Sequence, residues 1–187
     1  MSKNPDFMNL FARNVELQYP KLDQTYRYNN NDQRSEPCAQ TAAGAAWSVA
    51  WKMSEAEGKE FHGLLKKHYE SCRARNDKLP AFSKVFGFKK NDDGTVSFSS
   101  KRRGVSSEGK PNKEPTVIDA DKNALANRSI WSGSKGSVSV IAFPTKDPEG
   151  NAGISLILDK VQVTEPVYGG DNLDGFDQAP ASDKAEW

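Results

Sequence analysis

The sequence has no apolar run long enough to span a membrane. A transmembrane helix needs about 20 consecutive apolar residues, whereas 27% of this 187-residue chain is charged and its mean hydropathy is −0.76. The opening stretch MSKNPDFMNLF also lacks the charged, apolar and then small-residue order of a secretory signal. We therefore expect no membrane association and a cytoplasmic location.

Metal-binding and catalytic residue types are equally scarce. The sequence has two cysteines, Cys38 and Cys72, and two histidines, His62 and His68. A spacing of six places the histidines on different helix faces, so we predict neither a metal site nor a cofactor. Motifs typical of phosphate-binding loops, zinc proteases and serine hydrolases are absent. The sequence predicts a protein that is not an enzyme.

The first part of the chain predicts a strand followed by a loop. In NVELQYPKL, alternation places Val15, Leu17 and Tyr19 on one face. Pro20 then ends the predicted strand, and the polar residues 27–37 form a loop. The next stretch, AAWSVAWKM, alternates again and predicts a half-buried strand whose tryptophans belong to the core.

A helix is predicted directly after this second strand. Ser54 and Glu57 have the spacing of a capping box. Apolar residues then recur every three or four positions and form one buried stripe: Phe61, Leu64, Leu65, His68 and Cys72. Gly58 and Gly63 each weaken this helix by about 1 kcal/mol relative to alanine.

The remaining elements are predicted strands. Asp93-Gly94 is typical of a hairpin turn between two strands. PTVIDA is a short strand, and GSVSVIAFPT and GISLILDKVQVTEPV form a long final pair. A phase change between Leu158 and Val161 indicates a bulge. Five or six mostly antiparallel strands, with one helix after the second, favour a small closed barrel over a sandwich.

Charge divides the chain into two predicted regions. Residues 1–170 form one folded domain, and residues 171–187 form a disordered acidic tail with too few apolar residues for a core. The tail has five acidic residues against Lys184, a net charge of −4, whereas the whole chain has a net charge of +1. The tail and the basic remainder should therefore attract each other.

Positive charge is concentrated in residues 84–113, where eight basic residues outnumber three acidic ones. Within the predicted strand, five side chains share one face: Thr95, Ser97, Ser99, Lys101 and Arg103. Hydroxyl and cationic groups can bind phosphates without reading base edges, and we expect the flexible loop that follows to fold over a bound strand. The alternative interpretation is an ordinary solvated surface.

Stacking on bases requires exposed aromatic rings. Trp131, Phe143, Phe86 and Phe88 lie beside predicted turns or cationic residues. Each could equally be a packing residue.

The succession of these stretches resembles the single-stranded DNA-binding proteins of tailed bacteriophages. The stretches that carry the resemblance are WSVAWKM, the NDDGTVSF hairpin, GSKGSVSV, GISLIL, YGG and the acidic tail, and together they cover the chain from about Asn14 onward. The resemblance implies a barrel of the OB-fold type that coats single-stranded DNA without sequence preference during phage DNA replication, recombination and repair.

The resemblance also implies roles for particular residues. Phosphate contact falls on Lys101, Arg102, Arg103, Lys110 and Lys113. With the basic and aromatic candidates included, the predicted DNA-binding set is Lys84, Lys89, Lys101, Arg102, Arg103, Lys110, Lys113, Lys135, Trp131 and Phe143.

The tail of related proteins competes with DNA, docks onto DNA polymerase and helicase of the phage or host, and can bridge two subunits of a homodimer. The corresponding residues here are Asp171, Asp174, Phe176, Asp177, Asp183, Glu186 and Trp187. Two alternatives remain at this point: a virion-structural or protein-interaction domain that does not bind nucleic acid, and an RNA-binding barrel.

Overall fold

The computed structural model describes residues 4–169, so the predicted tail and its candidate partner-binding residues lie outside the described residues. The described part of the chain contains nine strands and one helix. In chain order they are β1 (Met8–Asn29), β2 (Arg34–Pro37), β3 (Ala46–Met53), α1 (Glu55–Arg75), β4 (Lys84–Val85), β5 (Lys89–Lys90), β6 (Val96–Arg103), β7 (Thr116–Ile118), β8 (Lys135–Lys146) and β9 (Ala152–Glu165).

Five strands close into a barrel. β1 pairs antiparallel with both β3 and β8, β3 pairs with β6, and β8 pairs with β9. A parallel contact between Lys101 and Ile157 joins β6 to β9 and closes the ring. The short strands β4 and β7 add parallel pairs to β9. This five-stranded barrel, with its helix after the second barrel strand, confirms the predicted OB-fold type.

Aromatic side chains fill the barrel where the helix packs against it. Trp51 and Phe98 are fully buried and stack with ring centroids 6.0 Å apart. Phe61 of α1 contacts Trp51 at 6.0 Å and Phe98 at 4.8 Å, both edge-on. Burying side chains of this size contributes about 1.5–3 kcal/mol each. Trp47 is also buried, which confirms that both tryptophans of β3 belong to the core.

The helix begins and packs largely as predicted. Ser54 is its N-cap and accepts a hydrogen bond from the Glu57 N–H. The predicted buried stripe of the helix was wrong at one position, since the Leu64 side chain is 46% exposed. Tyr69 is buried instead, and its hydroxyl donates to the Pro80 carbonyl over 2.7 Å. The buried face of the helix therefore includes Leu65 and Tyr69, which are four residues apart, and excludes Leu64.

β1 is much longer than predicted. It continues through Pro20 because the pairing with β3 shifts between Gln18 and Lys21, which leaves the proline without a partner on β3. The predicted loop at residues 27–37 was also wrong. The end of β1 pairs with β2 in a hairpin, and Arg27 forms a 3.1 Å ion pair with Glu36 across it.

Two other sequence predictions concern hairpins. The turn at Asp93-Gly94 joins β5 to β6, as predicted. The first strand of that pair is divided, however, because Gly87 has a φ of +84° and β4 pairs with β9 instead. In β9, the register shift that leaves Asp159 unpaired with β8 confirms the predicted bulge.

The helix in the described residues is not long and apolar enough to cross a membrane.

Candidate nucleic-acid interface

A groove of about 520 Å³ crosses the outer face of β3 and β6. Ser48 of β3 and Ser99 and Lys101 of β6 line it, and Tyr19 and Phe86 lie at its margins. These β3 and β6 side chains face outward because their neighbours in each strand point into the core. In barrels of this type, the second and third barrel strands form the oligonucleotide-binding face.

The groove continues along β9. A second section, also about 520 Å³, is lined by Arg103, Asn112, Phe143 and Ile157. The two sections share Lys101, Ser155 and Leu156. We call the whole path the barrel groove.

The barrel groove is lined by cations and by no acidic side chain of the described residues. Lys21, Lys101 and Arg103 have no carboxylate within ion-pair distance in residues 4–169. By contrast, Lys52 of β3 forms ion pairs with Glu16 at 3.8 Å and with Asp93 of the β5–β6 turn at 3.5 Å. The groove therefore presents uncompensated positive charge to a ligand.

Arg102 differs from its two basic neighbours. It lies opposite the buried Trp47, and its guanidinium donates to the carbonyls of Lys113 at 2.6 Å and Leu158 at 3.4 Å. These bonds fasten residues 104–115 to the barrel. Arg102 thus lines the groove, but two of its donors are already occupied by backbone carbonyls.

The loop after β6 was predicted to be flexible and is instead a closed hairpin. The Ser106 N–H donates to the Lys110 carbonyl, and the Asn112 N–H donates to the Gly104 carbonyl, both over 2.8 Å. The Gln40 amide donates to the carbonyls of Gly104 and Asn112. Because its base is tied down, the loop borders the groove rather than forming an open flap.

Tyr19 was predicted to share a face with Leu17, but Leu17 is buried and Tyr19 is 70% exposed. Its φ of +48° is unusual for a bulky residue and costs about 1–3 kcal/mol. The bulge at Pro20 reverses the side-chain alternation and brings Tyr19 and Lys21 to the groove. A proline within an alternating run is the signal that could have revealed both residues, since proline inside a sheet is confined to edge strands, strand starts and bulges.

Further aromatic rings border the groove. Lys84 lies 4.9 Å from the centroid of the Phe86 ring, and Phe143 packs edge-on against Phe7 at 5.9 Å. On the β1–β2 hairpin, Tyr28 is 59% exposed and pairs with Ser35, which lines the groove. Cross-strand partners share a face of the sheet, so Tyr28 lies on the groove side.

Trp131 lies in a smaller cleft of about 230 Å³ that adjoins the barrel groove. Tyr19 lines both spaces, and Trp131 is 59% exposed. A β-carbon at Gly169 would overlap the six-membered ring of Trp131. The last described residues therefore lie directly against one face of the indole.

The structure divides the predicted DNA-binding set by position. Lys101, Arg102, Arg103 and Phe143 line the barrel groove. Trp131 lines the adjoining cleft. Lys84 lies beside Phe86 and pairs with Asp147 at 3.9 Å. Four further lysines are exposed but outside the groove lining: Lys89, Lys110, Lys113 and Lys135.

The hydroxyl face of β6 is only partly available. Ser99 lines the groove, but Ser97 is 4% exposed and its hydroxyl donates to the Gln18 amide oxygen over 3.1 Å. The Asn91 amide covers Ser97 from the other side with a 2.9 Å bond.

The contacts of His68 and Cys72 hold the helix against the N-terminal residues of the described chain. The His68 Nε2 lies 2.8 Å from the Asp6 carbonyl oxygen, and Arg75 pairs with the Asp6 carboxylate at 3.2 Å. Burial raises the pKa of the Cys72 thiol, which favours its uncharged form. No cluster of three or more potential metal ligands occurs in residues 4–169.

The fold is similar to solved structures of phage proteins. A single-stranded DNA-binding protein from bacteriophage Enc34, in complex with single-stranded DNA, gives a TM-score of 0.60 at 14% identity, over 88% of this chain and 93% of that chain. The protein gp2.5, a single-stranded DNA-binding protein encoded by bacteriophage T7, gives 0.56 at 16% identity, over 97% and 99%. At this identity the likeness concerns the fold, and at that level it confirms the resemblance drawn from the sequence.

Sequence comparison alone finds no counterpart: no family model matches the chain, and no curated protein matches its sequence.

Proposed function

We propose that this protein binds single-stranded DNA in the barrel groove, with little overall sequence preference, as a non-catalytic coat during phage DNA replication, recombination and repair. The observation that carries the proposal is the chemistry of the groove. Within residues 4–169 its lining cations Lys21, Lys101 and Arg103 form no ion pair, and no acidic side chain lines it. The similar folds of the two phage proteins support the proposal.

The groove suits a single strand because it combines two kinds of contact. Lysine, arginine and serine side chains bind phosphates, while Tyr19, Phe86 and Phe143 supply rings along the same path. Base stacking contributes about 1–3 kcal/mol per ring and tolerates every base. In a duplex the bases are already stacked on each other, so these rings should favour single strands.

The acidic tail would regulate this site and recruit partners. It begins two residues after Gly169, which lies against Trp131 beside the groove. Residues 170–187 could reach roughly 60 Å if fully extended. We propose that this tail competes with DNA, bridges subunits of a homodimer, and docks onto DNA polymerase and helicase in the host cytoplasm through Trp187.

Titration of labelled oligonucleotides at several salt concentrations tests the proposal. Contact with three phosphates predicts a slope of log affinity against log salt of about −2 for a single strand. Equal affinity for duplex and single strand, or no dependence on salt, would contradict it. Failure to bind any oligonucleotide would favour a virion-structural or protein-interaction domain, and tighter binding of a matched RNA would favour an RNA-binding role.

A further inference from the structure

The cleft beside the barrel groove differs from it in charge. Its walls include the rings of Tyr19, Tyr26 and Trp131, and its other polar side chains are Asp23, Ser129 and Ser132. It contains a carboxylate and no lysine or arginine among its described lining residues. Tyr19 belongs to both spaces, so a strand in the groove passes the mouth of the cleft.

Hydrogen bonds fix the backbone at both Tyr19 and Trp131. The Trp131 N–H donates to the Val167 carbonyl over 2.8 Å, and Gly169 backs one face of the indole. The Tyr19 N–H donates to the Ser132 hydroxyl over 2.7 Å. Trp131 therefore offers only its opposite face to a planar group, and Tyr19 is fixed relative to the turn that carries Trp131.

Hydrogen bonds also orient the carboxylate of Asp23. Its Oδ2 accepts hydrogen bonds from the Tyr26 hydroxyl and the Ser129 hydroxyl, both at 3.3 Å. Its Oδ1 has no hydrogen bond within residues 4–169. Burial, followed by the nearby Asp23 charge, raises the pKa of Tyr26, so its hydroxyl stays protonated and donates. Asp23 has no ion pair within residues 4–169. Its carboxylate repels phosphate, so the base edge is the part of a nucleotide that suits the cleft.

We propose that this cleft is a base subsite that takes one nucleobase of the bound strand against Tyr19 and Trp131 and favours cytosine over thymine through Asp23. The inference rests on the proposed function. Cytosine presents its N4 amino group, which donates to a carboxylate. Thymine presents a carbonyl oxygen at the same position, which a carboxylate repels.

Short oligonucleotides of dC and dT, matched in length, test the subsite. We expect the native protein to bind dC about fivefold more tightly, below the full value of a base contact because the cleft is open to water. Asp23→Asn should bring the ratio of the two affinities close to one, since an amide both donates and accepts. Asp121→Asn removes the same charge from an exposed position outside the cleft and should keep the ratio.

The ratio of the affinities for dC and dT tests this inference separately from the proposed function. Salt-dependent binding of dT with equal affinity for dC would overturn the base subsite alone. Absence of binding to both oligonucleotides would overturn the proposed function and the subsite together. The native ratio is informative even if Asp23→Asn does not fold, and Trp131→Ala provides a second variant that should abolish the preference.

Discussion

The backbone N–H of Tyr19 donates a 2.7 Å hydrogen bond to the hydroxyl of Ser132. Through this bond the bulge of β1 is tied to the turn that precedes β8 and carries Trp131. A second bulge on β1 is held in the same way, since the Asn14 N–H donates to the Ser137 hydroxyl over 3.1 Å. Asn14, like Tyr19, has a positive φ, but it does not line the groove or the cleft.

These two serines form a matched pair of variants. Ser132→Ala should weaken binding of single-stranded DNA by up to about tenfold, because a hydrogen bond that positions Tyr19 is worth about 0.5–1.5 kcal/mol. Ser137→Ala removes the corresponding bond at Asn14 and should leave affinity unchanged. Fluorescence anisotropy with labelled oligonucleotides measures both, and equal losses would show that the Tyr19 bulge has no particular role in binding.

Lys101→Ala and Arg103→Ala should each weaken binding and reduce the salt dependence. If each side chain contacts one phosphate, the slope of log affinity against log salt should fall in magnitude by about 0.7 per variant. Lys67→Ala is the control, since Lys67 is exposed on α1 and does not line the groove. An unchanged slope in the Lys101 and Arg103 variants would remove them from phosphate contact.

A chain ending at Gly170 should bind single-stranded DNA more tightly than the full chain. It lacks a segment of net charge −4 that we propose competes for the groove. The gain should diminish as salt is added, because exposed charges are screened. Identical affinity of the two chains at low salt would refute self-competition and leave partner docking open.

Trp187→Ala should weaken capture of a DNA polymerase or helicase without changing the affinity for DNA, because an aromatic anchor supplies binding energy to a partner's pocket. Pull-down by the immobilised full chain, with and without the substitution, measures this. Capture that is unaffected would exclude Trp187 from partner binding.

The two helix glycines should respond in opposite ways to alanine. Nothing lies within 4 Å of a β-carbon at Gly63, whereas one at Gly58 would overlap Val96. Gly63→Ala should stabilise the fold by about 1 kcal/mol through helix propensity. At Gly58 the same gain is outweighed by overpacking of about 1–3 kcal/mol. Thermal unfolding should show a higher Tm for the first variant and a lower one for the second; a higher Tm for both would contradict the close packing of α1 on β6.

Prediction from sequence succeeded where a structure depends on neighbours along the chain. The alternation in β3 placed Trp47 and Trp51 in the core, and the spacing of Ser54 and Glu57 marked the start of α1. Strand order and the early helix pointed to the barrel, and residue type alone identified Lys101 as a candidate contact. The core face of β3 and the start of α1 depend on residues a few positions apart, and the barrel was inferred from the order of such local elements.

The tertiary structure decided which side chains share the site. Tyr19 and Lys21 reach the groove because the bulge at Pro20 reverses their direction, and an inserted residue changes the facing of every side chain after it. Lys21 and Lys101 reach the same groove because each pairs with Ser48 of β3, from opposite sides. Arg102 is distinguished from Lys101 by the carbonyls that it contacts. Local patterns along the sequence therefore determined the strands and the helix, and composition determined the excess of positive charge. Register and long-range pairing selected the cations and rings that face one path.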